Sequence, residues 1–160
     1  MAAFAPRPVV LVQTLNPDQS ANFALFSFVM PLGTHPPQVA LAITRQLDGG
    51  IKDTEQNIRA NGQFVLHLLT KELLSPALLL TANSGNAESL DDAPVSIRCF
   101  AEDFVERGTG PGSTMLVIAT IDSFSLLQPD SESAPHFNTI ARMGAREYLD
   151  LAEAELFQLD

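Results

Sequence analysis

Cysteine and basic residues are both scarce in this chain. Cys99 is the one thiol among 160 residues, so no disulfide can form within the chain and a reducing compartment suits it. Nine Lys and Arg stand against nineteen Asp and Glu, which gives a formal net charge of -10. This balance repels nucleic acids and anionic lipid surfaces, so we expect neither as a partner.

Signals for membrane insertion, secretion and several common chemistries are also missing. No apolar run approaches the roughly 20 residues of a membrane helix, and the first residues lack the basic and apolar regions of a secretory signal. We therefore expect a cytoplasmic protein. His35, His67 and His136 lack the spacing of metal ligands, which predicts no metal site. No G-x-G-x-x-G follows a strand, and Ser27 and Ser113 lack a G-x-S-x-G setting.

The residues that are present indicate one globular domain over residues 1–160. Apolar residues make up 46% of the chain and charged residues 18%. Short β-branched and aromatic runs predict strands at 9–13, 22–30, 39–44, 64–69, 95–104, 114–124 and 136–140. Helices are expected from Asp53 to the Asn61-Gly62 stop, at 71–82 after a Thr70 cap, and within 146–159.

The connections between these strands predict how they pair. Three strands lie within the first 44 residues, and the links between them are too short for parallel crossovers. Pro31 should end the second strand or place it at a sheet edge. The pattern is mainly β and predicts an antiparallel barrel, closed or nearly closed, with one or two inserted helices.

The most informative segment is 48–54, DGGIKDT, where a glycine-rich turn enters a helix. The first N–H groups of a helix lack internal partners and carry partial positive charge. A phosphate there could gain those donors, the Thr54 hydroxyl and the Lys52 ammonium. The alternative is an ordinary helix that Asp53 caps, with Gln56 as its capping-box partner and Lys52 in solvent. These seven residues alone leave both interpretations open.

Several short motifs, taken in order, resemble the flavin reductase-like, FMN-binding split-barrel family. The N-terminal half carries PRPVVLV at 6–12, NFALFSF at 22–28, HPPQVA at 35–40, KDT at 52–54, NI at 57–58 and GQFV at 62–65. The C-terminal half carries GPGS at 110–113, LVI at 116–118, RMG at 142–144 and YL at 148–149. The resemblance covers most of the chain and implies a split barrel.

The resemblance also implies a set of FMN-binding positions. Asn22 and the strand Phe26-Ser27-Phe28 would line the ring and ribityl chain, although the phenylalanines could equally be core residues. Arg45, Lys52 and Thr54 would hold the phosphate, Thr14 would place a hydroxyl near the flavin, and Asp53 would cap the helix. Strand alternation should send Phe26 and Phe28 to one face and Ser27 to the other.

The function that the resemblance implies is NAD(P)H-dependent flavin reduction by a homodimer. Hydride would pass from NAD(P)H to FMN, which would then release electrons to free flavin, oxygen or a partner oxygenase. Since the cofactor holds the reactive atom, we assign no catalytic side chain. The alternative is a flavin-binding or ligand-binding dimer without turnover, acting as a sensor or carrier. Two departures from the family pattern bear on this choice. The 70–95 connection is short, and His67 stands where asparagine is usual.

Overall fold

Two antiparallel sheets and two helices make up the computed structural model, which describes residues 4–83, 90–127, 139–144 and 147–151. The strands are β1 Arg7–Pro8, β2 Val10–Leu15, β3 Ala21–Phe26, β4 Val29–Thr34, β5 Pro37–Thr44, β6 Gln63–Leu68, β7 Val95–Arg107, β8 Thr114–Leu126, β9 Ile140–Gly144 and β10 Glu147–Asp150. The helices are α1 Asp53–Asn61 and α2 Leu74–Ala82. Within these ranges, neither helix has the length and apolar character to cross a membrane.

The larger sheet has seven strands in the order β3-β2-β6-β7-β8-β5-β4, and every pairing in it is antiparallel. Its two edge strands, β3 and β4, are consecutive in the chain and are separated only by Ser27 and Phe28. That link spans roughly 11 Å at most, so the two edges must lie close together. The sheet therefore curls into a barrel, which confirms the predicted antiparallel architecture with inserted helices.

The barrel interior is filled by alternate residues of the strands. Val39, Leu41 and Ile43 of β5 and Met115, Val117 and Ala119 of β8 all point inward and are buried. Ile58 of α1 joins the same cluster, so this helix closes one part of the barrel. A second apolar cluster packs the outer side of β2 and β3 against Ala77 of α2 and Ile140 of β9. Cys99 lies inside the barrel, and burial raises the pKa of its thiol to about 12.

The second predicted strand is interrupted. The sequence predicts a continuous strand over 22–30, whereas β3 ends at Phe26 and β4 begins at Val29. Pro31 lies within β4, at the sheet edge, because an edge strand does not need its missing N–H. The break also overturns the expected alternation, since Phe26 is in the core while Phe28 is 39% exposed.

The start of α2 and the C-terminal segment correct two further predictions. Thr70 does not cap α2, which begins at Leu74 after Leu73, so Pro76 falls in its first turn where a missing N–H is tolerated. β10 occupies part of the segment predicted as a helix over 146–159, because pairing with β9 overrides the local helical pattern. Residues 136–138 of the strand predicted over 136–140 lie outside the described residues. So do residues 146 and 152–159 of the predicted C-terminal helix.

His67 is held in a buried chain of hydrogen bonds across β2, β6 and β7. Its Nε2 lies 2.9 Å from Gln13 Oε1, and its Nδ1 lies 2.8 Å from Ser96 Oγ. Gln13 Oε1 can only accept, so Nε2 carries the proton and Nδ1 accepts from the Ser96 hydroxyl. Burial lowers the pKa of His67 to about 4, which keeps the ring neutral at pH 7.

This pKa makes stability depend on pH. Below an unfolded pKa of about 6.5, the unfolded chain takes up a proton that folded His67 does not, so lowering the pH should destabilise the fold. We expect His67 to account for a loss of about 2 kcal/mol in unfolding free energy between pH 7 and pH 5. Urea unfolding at both pH values measures it. His67→Gln should remove this part of the pH dependence, whereas the exposed His35→Gln should keep it. Equal pH dependence in all three proteins would contradict the assignment.

Candidate flavin phosphate site

Helix α1 begins without a side-chain cap. Its N-cap residue is Lys52, which makes no side-chain capping bond, and Asp53 is the first helical residue and is exposed. The first helical hydrogen bond runs from Gln56 N to Lys52 O over 3.1 Å, so the N–H groups of the turn before it have no helical partner. The expected Asp53 cap is therefore wrong. The Gln56 side chain donates to Ile51 O instead of completing a capping box.

The loop before α1 is fixed by its own backbone. Gln46 N donates to Gly50 O over 3.1 Å, and Gly49, with a φ of 85°, donates back to Gln46 O over 3.0 Å. Gly50 N also donates to the Asp48 carboxylate over 2.8 Å. Because glycine adopts positive φ without strain, the double glycine allows this tight turn. The loop therefore presents the helix start in a defined position.

Lys52 is the cation at that helix start whose charge no described carboxylate balances. Its Nζ lies 5.5 Å from the centre of the Phe26 ring, and no ion pair among the described residues includes it. Burial lowers the pKa of its ammonium group. An anion beside Lys52 would compensate for this lost hydration and would gain the open N–H groups as well.

Arg45, in contrast, is already paired. Its Nη2 lies 2.9 Å from Glu106 Oε1 and 3.4 Å from the buried Glu55 Oε1. Arg59 bonds the same two carboxylates at 3.1 and 3.2 Å. These two arginines and two glutamates are neutral together and join α1 to the ends of β5 and β7. Arg45 thus contributes to holding the helix, and its predicted phosphate contact stays a prediction.

A buried network of polar side chains fixes the first turn of α1 to the barrel. Asn22 Nδ2 donates to Thr14 Oγ1 at 3.0 Å and to Thr54 Oγ1 at 3.3 Å. Asn57 Nδ2 donates to Thr14 Oγ1 at 3.1 Å and to Asn16 Oδ1 at 2.9 Å. The structure thus brings together three predicted residues, Thr14, Asn22 and Thr54. Asn57 is a further member of this network that was not predicted, although its place three residues after Thr54 puts both on one helix face.

A cavity of about 700 Å³ is lined by residues outside the loop and helix start at 45–54, and two of these lining residues adjoin the helix start along the chain or through Phe26. Ser27, Phe28, Ala42, Thr44 and Thr114 line it, together with Arg7. Ser27 directly follows Phe26, against which Lys52 packs, and Thr44 directly precedes the loop that leads to Lys52. The Arg7 guanidinium lies 5.6 Å from the Phe28 ring centre, a contact in the cavity wall that no sequence motif indicates. The volume lies within the range of cofactor pockets.

The network predicts that Thr54 matters for folding more than Asp53 does. Thr54→Val should cost about 1–2 kcal/mol, because it removes a buried hydrogen-bonding hydroxyl that Asn22 contacts. Asp53→Ala should cost less than about 0.5 kcal/mol, since that side chain is exposed and caps nothing. Chemical denaturation of the two apo variants provides the comparison. A larger loss for Asp53→Ala would restore the capping interpretation.

Comparison with known proteins identifies the family of this chain. The family model for the flavin reductase-like domain matches residues 1–89, which is more than half of the chain. An uncharacterized protein of Halalkalibacterium halodurans is 35% identical over 72 residues, which cover 45% of this chain and 34% of that protein. The chain matches only about a third of the length of such curated relatives.

Solved structures agree on the fold. Component B of nitrilotriacetate monooxygenase from Bacillus cereus aligns with a TM-score of 0.85 and 21% identity, over 98% of this chain and 89% of that one. An FMN-binding protein from Thermus thermophilus aligns with a TM-score of 0.78 and 12% identity, over 99% and 93% of the two chains. At these sequence identities the solved structures establish only the fold. Family membership is established by the match to the family model. The chain therefore belongs to the flavin reductase-like domain family and has its split-barrel fold.

Proposed function

We propose that this protein binds FMN, with the phosphate at the N-terminus of α1 and the ring system in the 700 Å³ cavity. The observation that carries the proposal is the helix start itself. It combines uncapped N–H groups with a half-buried Lys52 that has no carboxylate partner among the described residues. A phosphate is the flavin group that suits both features.

The predicted residues divide into two roles under this proposal. Lys52, Ser27 and Phe28 contact the cofactor, because they lie at the helix start or line the cavity. Thr14, Asn22 and Thr54 position the helix through their buried hydrogen bonds, as Arg45 does through its ion pairs. Phe26 is a core residue whose ring supports the Lys52 side chain. This division follows from burial and from the hydrogen bonds and ion pairs that each side chain makes.

The proposed activity is NAD(P)H-dependent flavin reduction, in which NAD(P)H loses a hydride that the oxidised flavin gains. A bound flavin supplies this redox chemistry, while the protein binds, orients and partly desolvates it. Membership of the flavin reductase-like family supports the proposal. So does the fold shared with component B of a monooxygenase, which makes a partner oxygenase a plausible recipient of the reduced flavin.

The phosphate site is tested by comparing FMN with riboflavin. Lys52→Ala should weaken FMN binding about tenfold to a hundredfold, because it removes a charge-assisted contact worth roughly 1.5–3 kcal/mol. Riboflavin has no phosphate, so its weaker binding should change little. The matched control is Lys71→Ala, which removes the chain's other lysine, an exposed partner of Asp150. Titration calorimetry gives all the constants.

Two outcomes would reject this proposal. Wild-type protein that binds riboflavin as tightly as FMN would have no phosphate site. Equal losses of FMN affinity in Lys52→Ala and Lys71→Ala would show that the affinity depends only on the net charge of the protein. NADH and NADPH oxidation by the FMN-loaded protein then tests turnover, and an FMN-loaded protein inert to both would be a carrier or sensor.

We also propose that the protein is a homodimer whose interface covers the 700 Å³ cavity. Phe4, Phe28, Met30 and Leu32 lie at or near the cavity mouth and along β4, and between 39 and 75% of each is exposed. Apolar side chains grouped in this way around a cavity are typical of an interaction surface. A second copy of this chain would remove them from water and shield the flavin ring.

Light scattering should therefore give about twice the 17.3 kDa chain mass. Met30→Glu should shift the protein towards the monomer and weaken FMN binding, because it places a charge in the apolar interface. Leu79→Glu is the matched control, since Leu79 is equally apolar and 65% exposed but lies on α2. A monomeric wild-type protein with FMN bound would contradict the dimer proposal and leave the phosphate site untouched.

A further inference from the structure

A second cavity, of about 420 Å³, lies over β2, β6 and β7 and shares no lining residue with the first. The strand register aligns Gln13 with Val65 and Val65 with Arg98, so these residues form a row across the three strands. All three line the cavity, as do Leu15, Gln19 and Gln63. Its polar lining consists of one cation, several neutral amides and the Thr14 hydroxyl, with apolar surface between them.

The Gln13 side chain is oriented by a hydrogen bond to His67. Its Oε1 accepts a hydrogen bond from His67 Nε2 over 2.9 Å, and the Ser96 hydroxyl fixes the other nitrogen of the ring. This arrangement commits the oxygen of Gln13 and leaves its amide N–H groups without a partner among the described residues. Gln13 therefore offers donors to whatever occupies the cavity.

Arg98 adds a charged donor set beside Gln13. Its side chain is exposed, and no hydrogen bond or ion pair within the described part of the chain involves it. Arg45 and Arg59, in contrast, each contact two glutamates. Arg98 is thus a cation that makes no ion pair with a described carboxylate, in a chain of net charge -10. A guanidinium binds planar carboxylates through two parallel bonds.

The backbone at the cavity rim is also unusual. Gln19 has a φ of 69°, the left-handed conformation that favours glycine, and its N–H donates to Asn16 O over 2.9 Å. This conformation closes the tight turn between β2 and β3, in which Asn16 N also donates to Ser20 O over 2.9 Å. Gln19 thus brings a further amide to a cavity that is already rich in donors.

We propose that this cavity binds a small organic monocarboxylate. The carboxylate contacts Arg98 and the Gln13 amide, and the apolar part of the ligand packs on Val65 and Leu15. A single cation in an acidic protein favours a singly charged group over a phosphate. No acidic side chain lines the cavity, so cationic ligands gain nothing there. This inference does not depend on flavin binding.

The test uses benzoate as the ligand, and its binding is monitored by two-dimensional NMR of the uniformly labelled full chain. The Gln13 side-chain amide and the backbone of Val65 and Arg98 should shift in a saturable way. Arg98→Gln should weaken benzoate binding by about tenfold or more, because it removes a bidentate charged contact. Arg107→Gln, the same charge change at another exposed position of β7, should leave affinity within about twofold. Benzamide, the neutral analogue, should bind about tenfold more weakly than benzoate.

Three results would overturn the proposal. Equal losses of benzoate affinity in Arg98→Gln and Arg107→Gln would show that only the net charge of the protein matters. Benzamide binding as tightly as benzoate would show that the cavity does not recognise the carboxylate. Shifts confined to Ser27, Phe28 and Thr44 would place benzoate in the other cavity. Repeating the titration with Lys52→Ala separates the two sites, since that variant should lose FMN affinity and keep its benzoate affinity.

Discussion

The attachment of α1 to the barrel is the interaction on which the proposed cofactor site depends. Thr14 of β2 and Asn22 of β3 hold Thr54 and Asn57 of the helix through buried hydrogen bonds between 3.0 and 3.3 Å. Buried polar groups of this kind are costly unless they are all paired, so the network defines one position for the helix. That position fixes the open N–H groups of its first turn relative to the barrel. Without the network, the proposed phosphate-binding end of α1 would have no fixed relation to the barrel.

Charge compensation then distinguishes the cations around the helix start. Arg45 and Arg59 share two carboxylates and form a neutral group that joins α1 to β5 and β7. Lys52 lies at the start of the same helix without such a partner among the described residues, and burial already disfavours its charged form. Because local charges act in a partly desolvated site, one uncompensated lysine can attract an anion despite the net charge of -10.

The bend at Ser27 and Phe28 determines the shape of the barrel and of the larger cavity. It lets one segment of chain serve both edges of the seven-stranded sheet, so the barrel closes and the edge strands meet. The same bend releases Phe28 from the core and places it, with Ser27, in the wall of the larger cavity. Closure of the fold and formation of the cavity therefore have the same cause.

The sequence by itself determined the local elements whose signals are local. The strands predicted at 39–44 and 114–124, the Asn61-Gly62 helix stop and the glycine-rich turn before Lys52 all appear in the structure, because side-chain pattern and φ preference act within a few residues. The ordered motifs also identified the family. Only the tertiary structure decided that Asp53 caps nothing, that Thr54 is buried and bonded to Asn22, and that Arg45 is paired with Glu106. It also decided that 147–150 is a strand. These outcomes depend on partners 32 to 61 residues away or on a neighbouring strand, and no local pattern encodes which distant group will satisfy a buried side chain.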